Sequence, residues 1–313
     1  MGRTNIEWVK NPDGSQGYTW NPITGCLNHD NGLCKGGNFP CYAYKLANGR
    51  LKPLYLANDK VILPISGVDF NELAVCLKDP FYPRYWQERV REEFGAWTAG
   101  AIPKGIFVCD MGDLFGIGVP EQWTRRVLSH IGMSWYSEHR FYILTKQAQR
   151  LPEFSPFPDN AWIGITVTNQ QMMADALFAL HKIEARVKYV SFEPLLGRIA
   201  FDMHKNAPVW FRELDWIIIG ACTGTLPDMA LLAEKYPDLW LAGHDNKITA
   251  QPKIEWVREI VKAADKAGVK IFLKDNLMPL FKRGDIWAIP EWASFNDWTR
   301  QDIGTTLRQE FPR

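Results

Sequence analysis

Short apolar runs recur along the chain at Ile106 to Cys109, Phe141 to Leu144, Trp162 to Val167, Tyr189 to Phe192, Trp216 to Ile219 and Ile271 to Leu273. Each is followed by a polar or Gly/Pro-marked loop and usually by a stretch of helical periodicity, the alternation of a parallel sheet with crossover helices. Several runs are apolar at consecutive positions, as expected of strands covered on both faces. The helical stretches are equally legible. Glu121 to Tyr136 sets Trp123, Val127, Leu128 and Ile131 on one face, and Gln170 to Ile183 does so with Ala174, Leu177, Leu180 and Ile183. Ile254 to Ala267 presents Ile254, Val257, Ile260, Val261 and Ala264, and stops at Gly268, a residue suited to the left-handed position after a helix.

An additional strand around Ile6 to Val9 brings the count to about seven, so the pattern predicts an α/β fold, a full or partial (β/α) barrel of the TIM type, in a single domain spanning 1–313. Two segments break the rhythm. Residues 51–100 contain Pro53, Pro64 and the aromatic block from Pro80 to Trp86, and read as a helical excursion after the first strand. The C-terminal extension, 279–313, carries Trp287, Trp292 and Trp298 among charges and reads as a cap packed across one end of the barrel. No internal repeat is evident.

Composition narrows the class. Hydrophobic residues make up 46% and charged residues 23% of the 313, which suits a globular protein with a sizeable core. Lys plus Arg (36) almost cancel Asp plus Glu (35), so no global field draws the chain to nucleic acid or to an anionic membrane, and any basic groove is local. The apolar runs are too short to span a bilayer and Met1 to Lys10 lacks an apolar leader core, which points to a cytoplasmic protein with no membrane partner.

Six cysteines in such a chain are too few for a disulfide scaffold. Cys76, Cys109 and Cys222 stand alone and read as small buried hydrophobes. Cys26, Cys34 and Cys41 crowd into one loop after the first strand, at the end of a parallel barrel where active sites collect. A closed zinc site prefers a fourth protein ligand, and only His29 lies within the loop. Three thiolates on a four-iron cluster leave one iron open for a substrate or cofactor, so cluster ligation leads, ahead of zinc and of three unligated thiols.

Blocks in a fixed order carry a resemblance. They are Ile6-Glu7-Trp8, Thr19 to Cys26, Cys41-Tyr42-Ala43, Asp110 to Phe115, Leu144-Thr145-Lys146, Trp162 to Val167, Ser191 to Gly197, Asp215 to Gly220 and Phe272-Leu273-Lys274. In these the chain resembles the phage Gp37/Gp68 family, also called DUF5131, which is similar to radical S-adenosylmethionine enzymes. The resemblance implies a partial TIM barrel, a [4Fe-4S] cluster on Cys26, Cys34 and Cys41, and S-adenosylmethionine chelating the open iron. It further implies an external electron donor such as flavodoxin or ferredoxin. The spacing here is C-x7-C-x6-C rather than the superfamily's C-x3-C-x2-C, so the residues from Lys35 to Pro40 are expected to bulge out.

Polar residues at the strand ends are the candidates for the rest of the site. Asp110 and Asp113 either contact substrate or the methionine amine, or serve as Asx turns and helix caps. Thr145 and Lys146 follow the next strand, where the lysine either binds a carboxylate or phosphate or forms a solvated edge. Thr166, Thr168 and Asn169 suit cosubstrate hydrogen bonding, with Asn169 equally suited to capping the next helix. Glu193, between Phe192 and Pro194, needs a partner for its charge and is assigned to cosubstrate or substrate, as catalytic or binding residue. Lys274 is a further catalytic candidate, or else Lys274 and Asp275 pair with each other or with Glu193 in a structural role. Gly220 to Gly224 permits close backbone approach to a ligand without being a dinucleotide fingerprint. Tyr42 either stacks beside adenine or is a core aromatic.

The reading that results is a 5′-deoxyadenosyl radical abstracting hydrogen from a small-molecule or nucleic-acid substrate, in the manner of an isomerase or lyase. Phage association points to a modified nucleobase in DNA hypermodification, with tryptophans as stacking surfaces. Two other classes are a zinc-stabilised binding module and a nucleic-acid hydrolase whose metal is held by Asp110, Asp113 and Glu193.

Overall fold

The computed structural model describes residues 1–61, 70–91, 94, 102–200, 213–283, 286–287, 289–294 and 306–312. The fold is mixed α/β around a large, mostly parallel sheet. Its strands follow sequence order: β1 (Gly2–Arg3), β2 (Tyr18–Trp20), β3 (Gly105–Val108), β4 (Arg140–Thr145), β5 (Ala161–Thr166), β6 (Val187–Phe192), β7 (Trp216–Ile219) and β8 (Lys270–Leu273). The chain groups into two compact units, Met1–Gly164 with Lys182–Arg186, and Ile165–His181 with Val187–Arg313.

In the first unit β1 is antiparallel to β2, while β2, β3 and β4 run parallel. The strand expected at Ile6 to Val9 is absent. Val9 N–H instead donates to the Ile6 carbonyl (3.1 Å) in a turn, and Trp8 is buried against Phe107 and Tyr142, ring centroids 5.0 and 5.7 Å away. Burial of these residues, not a ladder, explains their apolar pattern. Helix α1 (Glu121–Ile131) buries Trp123, Val127, Leu128 and Ile131 as expected, but ends at Gly132, short of Tyr136. A glycine costs about 1 kcal/mol relative to alanine inside a helix, and a separate 3-10 turn, Ser134–Tyr136, carries the remaining residues.

The described part of the excursion holds short helices at Lys52–Leu56, Phe70–Lys78 and Gln87–Val90 and a two-residue strand, Arg84–Tyr85, antiparallel to Ile23–Thr24. Its organiser is Arg84, 0% exposed, whose guanidinium donates to the carbonyls of Asn58, Cys76, Leu77, Asp79 and Tyr82. Those bonds fold the chain around a buried cation. The rest of the excursion lies outside the described residues.

In the second unit β6, β7 and β8 are parallel, pairing Phe192 with Ile219 and Ile219 with Leu273. Helix α2 (Gln170–His181) buries Met173, Ala176, Leu177 and Leu180, and leaves Ala174 exposed. Leu177, Leu180 and Ile183 are buried as expected, and Met173 takes the core position expected of Ala174. Helix α3 (Ile254–Ala267) buries Trp256, Val257, Ile260, Val261 and Ala264 and is terminated by Gly268 at φ +76°. Between β7 and α3 stands an unforeseen antiparallel sheet of Cys222–Gly224, Lys247–Gln251 and Trp240–His244, with a capped helix, Leu226–Lys235.

The described end of the tail runs along β8 rather than across a barrel end. Leu273 N–H donates to Arg308 O and Glu310 N–H to Ile271 O, both 2.8 Å, and Phe311 packs on Trp216 and Phe272. It pairs with an edge that would otherwise be open. Trp298 lies outside the described residues. Trp8, Trp20, Trp86, Trp123, Trp162, Trp216 and Trp256 are core, and among the described residues Trp135 and Trp240 are the exposed tryptophans. Among the described residues no helix is long and apolar enough to cross a membrane.

Candidate functional site

The cysteine loop leaves β2 through a polar knot. The Asn21 side chain donates to Asp110 Oδ1 (2.5 Å) and accepts from Met111 N–H (2.9 Å), tying the chain after β2 to the chain after β3. Gly25 bridges to Gly112 at φ +91°, and a side chain there would meet the Tyr82 carbonyl at 2.5 Å, so only glycine fits before Cys26. Cys109, at the end of β3, holds φ +59°, a conformation costly for a residue with a side chain.

The long cysteine spacing resolves into a small antiparallel fold. His29 and Asp30 pair with Cys34 and Leu33, Leu33 bridges to Pro40, Cys34 N–H donates to Phe39 O, and Cys41 N–H donates to Gly32 O. The extra residues close on themselves in a turn at Lys35 to Asn38, with Gly37 and Asn38 at positive φ, and thus bulge out as expected. Cys41 then leads into the helix Tyr42–Asn48.

Cys34 is buried and Cys26 and Cys41 are partly so. Burial pushes the Cys26 thiol up to about 12, with Asp113 adding to the effect, and raises Cys34 against the opposing charge of Lys146. Lys146, half-buried, has a desolvated ammonium: burial pulls its pKa down, but the negative field of Cys34, Asp113, Cys41 and Cys26 outweighs this and holds it above the usual lysine value. The reading of Lys146 as a solvated edge is overturned.

Asp113 is buried and accepts from the Thr145 hydroxyl (2.8 Å), Lys146 N–H (3.0 Å) and Phe115 N–H (3.0 Å); burial raises its pKa and these donors oppose it. It is therefore both the turn residue that the sequence allowed and the carboxylate beside Lys146. Thr145 is committed to that network, also accepting from Gln147 N–H. Asp110 is raised by burial as well, with Asn21 opposing. Tyr42 is 54% exposed, not a core aromatic, and its hydroxyl donates to the Asp110 carbonyl. The His29 ring packs edge-on against the stacked pair Tyr44 and Phe81, and both its nitrogens lack partners among the described residues.

Three thiols within electrostatic reach of one another beside a buried ammonium suit a thiolate-bound iron–sulfur group in donor type and in charge. Among the described residues no three His, Cys, Asp or Glu side chains are drawn together as a metal-coordinating set. Cys76, Cys109 and Cys222 are buried, as expected.

The second unit carries a separate polar row. The β6, β7 and β8 registers put Glu193, Gly220 and Lys274 side by side just past the strand ends, and Lys274 Nζ donates to Glu193. A side chain at Gly220 would meet Lys274 Cδ at 2.9 Å and Glu193 Cγ at 3.4 Å; glycine makes the room that lets the ion pair close over it. Asn276 fixes the following turn, accepting from Ala221 N–H and donating to Ala221 O. Asp275 accepts from the Gln309 side chain at 2.9 Å.

One row deeper are two hydroxyls that sequence reasoning only half found. Val167 N–H donates to Ser191 O (2.9 Å), which aligns Thr166 with Ser191 on one face of β5 and β6. Both residues are essentially unexposed, and neither hydroxyl has a hydrogen-bond partner among the described residues. Buried hydroxyls are rarely left so. Ser191 is masked in sequence by an apolar run. Asn169 caps α2, its side chain accepting from Met172 N–H (3.0 Å).

The profile of proteins of unknown function DUF5131 matches residues 3–230. Comparison with curated proteins gives no match. Among solved structures, a cysteine-to-alanine variant of spore photoproduct lyase with dinucleoside spore photoproduct aligns at 11% identity and TM-score 0.48, covering 87% of this chain and 81% of that one. The same variant without that ligand in its description aligns at 12% and 0.47 over the same shares.

Proposed function

The chain belongs to the DUF5131 family, and from that premise we propose that it is a radical S-adenosylmethionine enzyme built on a partial barrel. The observation that carries the reading is the folding of Cys26, Cys34 and Cys41 in one loop within electrostatic reach of Lys146, close to the buried Asp113. A [4Fe-4S] cluster with S-adenosylmethionine supplies, when bound, a 5′-deoxyadenosyl radical for hydrogen abstraction.

Cys26, Cys34 and Cys41 hold the cluster as thiolates, and Lys146 offsets their charge in a desolvated setting where an unpaired anion is costly. Asp113 holds the Lys146 backbone through its N–H and is itself fixed by Thr145. Thr166 and Ser191 offer buried hydroxyls to a polar ligand, and the Glu193–Lys274 pair offers a carboxylate and an ammonium for binding or for placing a proton. An external flavodoxin-like or ferredoxin-like donor supplies the electron. The substrate is a modified nucleobase or nucleic acid in phage DNA hypermodification, and the cytoplasm is the setting.

Anaerobic reconstitution with iron and sulfide, then reduction in the presence of S-adenosylmethionine, is expected to yield 5′-deoxyadenosine, and Cys34→Ala to abolish it. Stoichiometric zinc with no cluster would overturn this reading in favour of a binding module.

A further inference from the structure

Away from the thiols, the first unit contains a cavity of about 420 Å³ lined by Lys60, Tyr85, Gln122, Trp123 and Arg126. Its walls come from two elements held in register by the backbone. Tyr85 sits in the short strand paired with Ile23, and its N–H donates to Lys60 O (3.1 Å), while Gln122, Trp123 and Arg126 share a face of α1. Tyr85 is 6% exposed and its ring stacks on Trp123, centroids 5.2 Å apart at 30°.

The Tyr85 hydroxyl is buried and has no hydrogen-bond partner among the described residues. Burial raises its pKa, and the charges of Arg126 and Arg91 are near enough to oppose that. Among the described residues no carboxylate lines the cavity, and neither Lys60 nor Arg126 has a carboxylate partner. An orphan donor beside two unneutralised cations in a chain of near-zero net charge is a local arrangement for an anion.

We propose that this cavity binds a phosphate group, with Lys60 and Arg126 supplying charge and the Tyr85 hydroxyl a hydrogen bond. The strand that anchors Tyr85 pairs with the segment leading into Cys26, so the phosphate is assigned to the nucleotide or nucleic-acid substrate. That assignment rests on the function proposed above; the phosphate site itself does not.

The test titrates the full-length protein with inorganic phosphate, deoxyadenosine monophosphate and a short single-stranded DNA, by calorimetry at several salt concentrations. Arg126→Gln is expected to weaken binding about tenfold and Tyr85→Phe a few-fold. Arg126→Gln should keep the wild-type circular dichroism and melting temperature, since Arg126 is exposed, and Tyr85→Phe should keep the circular dichroism and melt no lower, since phenylalanine retains the stack. Tighter binding of DNA than of the mononucleotide identifies the backbone phosphate as the source, and the reverse identifies a free nucleotide. Absence of binding by all three probes, or binding indifferent to both substitutions, overturns the proposal. Neither readout needs a cluster or deoxyadenosine formation, so failure here is distinct from failure of the radical chemistry.

Discussion

Around Asp113 the protein answers its own buried polarity: the Thr145 hydroxyl and the Phe115 and Lys146 N–H groups meet its carboxylate, and the Lys146 ammonium feels its charge. Only the thiols are left with chemistry unspent. Along β5 and β6 the opposite holds, for Thr166 and Ser191 are buried with no partner while Glu193 and Lys274 above them close on each other. The first arrangement is closed apart from its thiols; the second has room for something polar from outside. A satisfied network rigidifies, whereas an orphaned one records where a ligand is needed.

Removing one member of the satisfied network should have the largest effect. Asp113→Ala strands the Thr145 hydroxyl and the Phe115 and Lys146 N–H groups, and should cost about 3–5 kcal/mol in urea denaturation. A loss no larger than that of a surface substitution would show the network to be incidental. Arg84→Met, which strands five carbonyls in the excursion, should cost roughly 3 kcal/mol by the same measurement. That value tests whether buried cations organise the first unit generally.

The orphaned row should respond with opposite sign. Thr166→Val removes a hydroxyl that has no partner and should raise the stability of the ligand-free protein by about 1 kcal/mol, while reducing S-adenosylmethionine affinity in calorimetry. Destabilisation would mean that the hydroxyl is satisfied in solution.

The smallest effect is a pH dependence. Burial raises the folded pKa of Asp110 above the ordinary 3.8, so its contribution to stability is full below that value and is lost as pH rises through the folded pKa. Asp110→Asn should flatten this segment of the stability–pH curve, and an unchanged curve would show that the carboxyl titrates normally.

Much of this was legible from periodicity. Trp216 to Ile219 and Ile254 to Ala267 were read to the residue, because consecutive apolar positions and a terminal glycine each have one good structural solution. Ile6 to Val9 misled because a buried turn and a buried strand have the same composition. The antiparallel sheet between β7 and α3 escaped because its strands are only partly buried and alternate weakly. The cysteines announced themselves by clustering, and Glu193 by its placement after an apolar strand. Lys146, Ser191 and Tyr85 did not: a lysine at a strand end, a serine in an apolar run and a tyrosine in an aromatic block are each ordinary.

The sequence alone determined the βα alternation, the helix faces and the loop that concentrates three thiols, since all of these follow from local spacing. Tertiary structure alone decided that Lys146 is desolvated beside those thiols, that Gly220 makes room for Lys274 to reach Glu193, and that Tyr85 loses its solvent without gaining a partner. Desolvation and partnering depend on what segments distant in the chain bring to the same place, and no local pattern encodes that.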